Sequence, residues 1–367
     1  MATRRVRRLA TGTILAAAVG ALIAQPPAPN IQAEDAADDK LVAEARQNFQ
    51  PLPDDAGTAD HPLTKDRVEL GRMLFFDPRI SIDGVGSCVR CHQPALYGAD
   101  ALPKSRGIRD QVQGRNAPTV LNVALHFKVH WDGLFETVED QARRALLGPG
   151  FGNPDHAAAM AKIKAIPGYA ELFSKAFPDQ SDSVTEENWG VAIGAYERTL
   201  VTPSRFDEFL AGKPKALSEA EQRGLRTFMQ QGCNECHDGG ALGGNDFKKF
   251  GIVNDYWKST HSQPIDKGRF NLTKKADDMY VFKVPSLRNV AMTPPYFHDG
   301  SVGSLAEAVR IMATTQLGNE LSDEETNDLV SFLNSLTGKL PTDFAQAPVL
   351  PPAGFVPPTA PSGTSSQ

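Results

Sequence analysis

This sequence of 367 residues predicts a mainly α-helical fold with long loops, built as two tandem, related domains. Three observations lead there. The stretch "NAPTVLNVALHFKVHWDGLFETVEDQARRA" from Asn116 aligns without gaps with "KVPSLRNVAMTPPYFHDGSVGSLAEAVRIM" from Lys283. The alignment pairs Pro118 with Pro285, Asn122 with Asn289, and Asp132-Gly133 with Asp299-Gly300. Upstream of each stretch lies one Cys-x-x-Cys-His motif, "SCVRCH" and then "GCNECH", and upstream of each motif lies a helical pattern. Strand signals are sparse throughout.

The elements follow in chain order. The opening "MATRRVRRLATGTILAAAVGALIAQ" sets four arginines before an apolar run, the layout of a secretory signal peptide over residues 1–33. Cleavage fits after Ala24 or Ala33, and an uncleaved anchor is the alternative. Removing residues 1–33 takes away four arginines and no acid, so the formal charge moves from −6 to −10. That balance speaks against a nucleic-acid partner. "TKDRVELGRMLFF" places Val68, Leu70, Leu74 and Phe75 on one buried face of a helix. "LSEAEQRGLRTFM" repeats the pattern before the second motif. A last helix starts at Ser322, where Glu325 completes a capping box, and it ends before Gly338 and Pro341. The boundaries expected are 40–203 for the first domain and 204–342 for the second, whose last helix is free to pack on the first. Residues 343–367, rich in Pro, Ala and Ser, read as an extended disordered tail.

The chemistry lies in the cysteines. All four, Cys88, Cys91, Cys233 and Cys236, belong to the two motifs. Disulfides and thioredoxin-type pairs have no use for a histidine directly behind the second thiol. Covalent attachment of haem c does: two thiols bond the porphyrin, and His92 or His237 reaches the iron. A zinc site would need ligands gathered from both motifs. The units therefore read as cytochrome c-like haem domains, and export to the periplasm agrees with this. The two irons are not equivalent. Met312 stands on a helical stretch in the second repeat and is a soft sixth ligand that favours electron transfer, with Met292 and Met279 as rivals. A methionine at that spacing is otherwise core. The aligned residue of the first repeat is Ala145, which cannot bind iron. One complete and one open iron is the mark of an enzyme.

The segments "ELGRMLFFDPRIS", "SCVRCH", "GRNAPTVLN", "WDG", "GCNECH", "VPSLRNV", "PPYFHDG" and "QLGNELS", in that order between about Leu63 and Leu340, resemble the bacterial di-haem cytochrome c peroxidase family. That family includes the methylamine-utilisation di-haem enzymes. The resemblance implies reduction of hydrogen peroxide to water with electrons from a small c-type cytochrome or a copper protein. It implies a peroxidatic haem on His92 and an electron-accepting haem on His237 and Met312; the amine-oxidation relatives place a tyrosine at the methionine position. By the same resemblance Trp131 lies between the haems, Gln141 is a polar distal residue, Asn116, Thr293 and Pro295 hold a calcium ion, and the protein is a homodimer. Trp131 is otherwise a packed aromatic at the domain junction.

Three positions depart from the family. Ile108 stands where many members carry a removable distal histidine, so the peroxidatic iron is expected to be open in the oxidised protein. His156, with Asp155 beside it, stands where the family has its acid–base glutamate; a solvated loop histidine is the alternative. His130 replaces an aromatic and reads as a distal base or a sixth ligand. His298 aligns with Trp131 and is placed near the second haem, while His126 and His261 read as surface or structural. Two other functions stay open: oxidation of a protein partner, and a di-haem electron carrier without catalysis.

Overall fold

The computed structural model describes residues 39–352. The expected signal peptide over 1–33 lies outside the described residues, as do residues 353–367. In chain order the principal helices are α1 (Lys65–Phe76), α2 (Val138–Ala145), α3 (His156–Lys164), α4 (Pro167–Ala176), α5 (Glu186–Glu197), α6 (Glu219–Gln230), α7 (Leu305–Met312), α8 (Asp323–Ser335) and α9 (Thr342–Ala345). Strands β1 (Phe247–Lys249) and β2 (Val281–Lys283) form a short antiparallel ribbon. Local sequence sets the helix starts. The Thr64 side chain accepts the Arg67 amide at the head of α1, and Ser218 with Glu221 and Ser322 with Glu325 form reciprocal caps on α6 and α8.

Two hydrophobic cores result, each centred on a helix crossing. Leu70, Leu74 and Phe75 of α1 pack with Trp189, Ile193 and Tyr196 of α5. Leu225 and Phe228 of α6 pack with Leu329, Phe332 and Leu333 of α8. Both crossings need a glycine. A Cβ added to Gly71 would lie 1.8 Å from the Ala192 carbonyl oxygen, and one added to Gly224 would lie 1.9 Å from that of Asp328. One turn further along, Tyr196 and Phe332 cover the glycines in the same way. The repeat thus reaches beyond the aligned loops into the helix pairs.

The two halves meet about a pseudo-two-fold relation. The Asn116 amide donates to the His298 carbonyl at 2.8 Å, and the equivalent Lys283 amide donates to the Trp131 carbonyl at 2.7 Å. Asn122 and Asn289, both left-handed at φ 62° and 61°, each donate from Nδ2 to the Thr202 hydroxyl, at 2.9 and 2.8 Å. Thr202 is fully buried at the junction of the halves. A symmetric junction of this kind holds equivalent loops face to face, and these are the loops that carry Trp131 and His298.

The chain ends cross over, which the expected boundaries did not anticipate. The helical segment 39–45 and Phe49 belong to the second core, where Phe49 meets Phe206 edge-on at 5.5 Å. Phe344 of α9 is fully buried in the first core, its ring 6.3 Å from that of Phe75. Arg72 donates to the carbonyls of Asp343 and Gln346, and Arg79 to that of Pro351. Residues 343–352 are therefore docked chain, not an extended tail. The reason is one aromatic with a waiting cavity and a run of carbonyls within reach of two arginines, a signal that an average over Pro and Ala hides. α8 packs on α6 of its own half, and it is α9 that reaches the first. Phe344→Ala is expected to cost about 3–4 kcal/mol by leaving a cavity in the first core. Denaturant midpoints read this, and a loss below about 1 kcal/mol would show the docking to be incidental.

Candidate haem sites

Each motif builds the same local arrangement. Cys88 and Cys91 sit at the two ends of one helical turn, facing the same side; Cys233 and Cys236 do so on a tighter turn. All four thiols are free. Burial pushes Cys88 well above its ordinary value and Cys233 up to about 11, the reverse of an activated redox thiolate. The two motifs belong to separate cores, so their cysteines do not converge on one ion.

The histidines are held for ligation. His92 Nδ1 lies 3.0 Å from the Gly98 carbonyl, and His237 Nδ1 lies 3.2 Å from that of Leu242. A carbonyl only accepts, so Nδ1 carries the proton and Nε2 presents its lone pair, the tautomer a metal requires. Burial also lowers both imidazoles, which keeps them neutral.

Around the second motif lies a partly open cavity of about 520 Å³ bordered by Cys233, Cys236, His237 and Met312. Phe228, Val290, Leu305, Val309, Leu329 and Leu333 give it apolar walls. A large apolar ring system fits this space, with thiols and one imidazole at hand for attachment. Met312 is the last residue of α7, where the helix widens into a π-turn over Ala313–Leu317. Such turns shift the side chain at the junction out of helical register. Neither Met292, 42% exposed, nor Met279 borders the cavity. In the first half α2 also ends on the aligned residue, Ala145, which is partly buried against the first core.

Between the motifs, Trp131 donates from Nε1 to the Asn116 carbonyl at 2.9 Å, and its ring stands 6.3 Å from that of His298. His298 is 2% exposed and stacked on Phe282 at 4.4 Å; its Nε2 has no hydrogen-bond partner. His130, left-handed at φ 70°, meets Phe135 edge-on, and burial pushes it down to about 4, so it is a neutral base. Trp131, His130, His298, Asn116, Thr293 and Pro295 all border the same cavity.

The proposed proton-transfer residues are less gathered. Gln141 is half-buried on α2. His156 opens α3 with Nδ1 3.6 Å from Glu186 Oε1, and its Nε2 is sealed without a partner. Asp155 caps the helix, accepting the Ala158 amide at 2.7 Å, which leaves it a structural task. Ile108 is anchored: its amide donates to the Pro149 carbonyl at 2.8 Å, and its side chain occupies the space a Cβ on Gly152 would need.

Of the two places expected for His126, surface or structural, it takes the structural one. It borders the cavity, and its Nδ1 lies 3.2 Å from Lys283 Nζ. The one clue in the sequence was a lysine in the otherwise apolar run "VFKVP".

A family model described as di-haem cytochrome c peroxidase matches residues 65–215. Among curated relatives, cytochrome c551 peroxidase of Pseudomonas aeruginosa is 40% identical over 315 residues, 85% of this chain and 90% of that one. The protein of the same name from Nitrosomonas europaea is 37% identical over 349 residues, 95% of this chain and 96% of its own. Among solved structures, a MauG-like protein associated with microbial copper homeostasis superposes with a TM-score of 0.70 at 28% identity, covering 81% of this chain and 97% of that one.

Proposed function

The chain belongs to the di-haem cytochrome c peroxidase family, and on that premise we propose that it reduces hydrogen peroxide to water in the periplasm, with electrons from a small c-type cytochrome or a copper protein. Two covalently attached haem c groups would supply the iron chemistry for peroxide reduction and for electron entry. Cys88, Cys91 and His92 hold the first, and Cys233, Cys236, His237 and Met312 the second. The observation that carries the division of labour is the unequal ending of two matched helices: α7 stops on a thioether, α2 on a methyl group.

The remaining steps belong to side chains. Peroxide cleavage needs a proton moved from the near oxygen to the leaving one. Gln141 orients the peroxide, and His156, which stands where the family has its acid–base glutamate, carries the proton. Trp131 stands between the sites, its indole fixed by the Asn116 carbonyl, and serves the electron route. A calcium ion bound through Asn116, Thr293 and Pro295 would tie the two halves together where their equivalent loops meet; the shared cavity border supports this. The working protein is a homodimer by analogy with the family.

Spin-state spectroscopy tests the reading. The oxidised protein as isolated is expected to show one low-spin and one high-spin haem, and to turn over peroxide without prior reduction, because Ile108 offers no ligand. Two low-spin signals with no turnover until the protein is reduced would defeat it.

A further inference from the structure

Among the described residues, Lys283 is a buried cation without a counter-ion. It is 7% exposed, at the end of β2, and borders the cavity that contains Cys233, Cys236 and His237. Three other cations of this region are matched. Arg288 pairs with Asp207 at 2.6 Å, Arg115 with Asp132 at 2.6 Å and Asp266 at 2.7 Å, and Lys248 with Asp246 at 2.6 Å. Among the described residues the polar partner given to the Lys283 ammonium is His126 Nδ1, at 3.2 Å, a neutral acceptor. Burial alone pushes Lys283 down to about 8, with no carboxylate holding it up. An isolated ammonium in a low-dielectric interior is expensive, and folds keep one where a ligand brings the opposite charge.

His126 aims that ammonium. Its ring is wedged beneath Gly244, where a Cβ would come within 2.4 Å of the ring carbon Cδ2, so the imidazole has no room to swing aside. The ammonium has three N–H groups, and His126 takes one. Two remain for a partner in the cavity. That partner must be anionic and must belong to whatever fills this largely apolar space.

We infer that Lys283, positioned by His126, binds a carboxylate side arm of haem c. The inference rests on the haem reading above. Haem c carries two propionates, and either group is a source: Pro118, whose backbone meets His92, and Pro285, whose backbone meets His237, both border the cavity. By the repeat, Lys283 occupies the place of Asn116, so the charge is present on one side of the pseudo-two-fold relation only. The anchor thus adds a second asymmetry to the one set by Met312 and Ala145.

The test compares holoprotein with K283M, K283R and H126F by redox titration of both haems and by the propionate bending bands in resonance Raman spectra. A nearby cation favours the state holding the extra electron. K283M is therefore expected to lower the midpoint potential of one haem, displace that haem's propionate band and leave the other unchanged. The haem whose band moves identifies the source. K283R should keep the potential while shifting the same band, and H126F should shift it less than K283M does. Unchanged potentials and bands in fully loaded K283M overturn the inference. Should K283M fail to accumulate, an unshifted band in K283R overturns it equally. Absence of covalent haem from the unaltered protein would instead defeat the premise, and a haem stain on a denaturing gel tells the two failures apart.

Discussion

Met312→Ala is expected to lower steady-state peroxide turnover by at least about a hundredfold. Residues that merely orient a metal ligand already cost about 10- to 100-fold when removed, and a direct ligand should not cost less. With the ligation proposed above, loss of the thioether would expose the second iron to water and move it away from the potential that His/Met ligation provides. Electrons from the donor then arrive more slowly, while the first site, built on His92 and α2, keeps its own response to peroxide. Two measurements separate these outcomes. Donor-coupled turnover should collapse, and the methionine–iron charge-transfer absorption should vanish, whereas the first addition of peroxide still perturbs the high-spin signal. Full turnover with the charge-transfer band intact would transfer the ligand role to another residue and remove the basis for treating the two haems as unlike.

Gly224→Val is expected to destabilise the second half by more than about 3 kcal/mol and to deplete correctly loaded protein. At the crossing of α6 and α8 even one added carbon would stand 1.9 Å from the Asp328 carbonyl oxygen. That neighbour is backbone within a helix, so it cannot rotate away, and the helices must separate. Separation uncovers Phe228 and Phe332, whose rings lie 5.3 Å apart in the core beside the cavity. The consequence reaches the site, because Phe228, Leu329 and Leu333 form cavity wall as well as core. Gly71→Val should do the same to the first half through Ala192. Denaturant midpoints and the ratio of bound haem to protein check both. An unaltered midpoint for Gly224→Val would mean that the helices do not cross as closely as described.

The parts of this protein that are local in the chain were legible in the sequence. The helices from Lys65, Glu219 and Asp323 announce themselves through a capping residue and an apolar face within a dozen positions. The two haem motifs are five residues each, and their thiols and imidazoles follow from spacing alone. The repeat was visible too, and with it the contrast between Met312 and Ala145. The structure adds that both residues end matched helices.

What the sequence did not disclose depends on residues brought together from far apart. Phe49 and Phe344 change halves because each fills a space made by aromatic partners more than a hundred residues away. The pairing of His126 was not legible because its partner, Lys283, lies 157 positions along the chain. Asp155 looked like a candidate acid until the amide of Ala158 claimed it.

Sequence by itself pointed to the groups that would attach haem, to the iron that would receive sulfur, and to a doubled unit, since each is written within one short segment or in the comparison of two. Only the tertiary structure decided how the halves face each other, through Thr202 and the exchanged hydrogen bonds of Asn116 and Lys283. It also decided which charges are left buried without a counter-ion. Burial and pairing are properties of three-dimensional neighbourhoods, and no spacing along a chain encodes them.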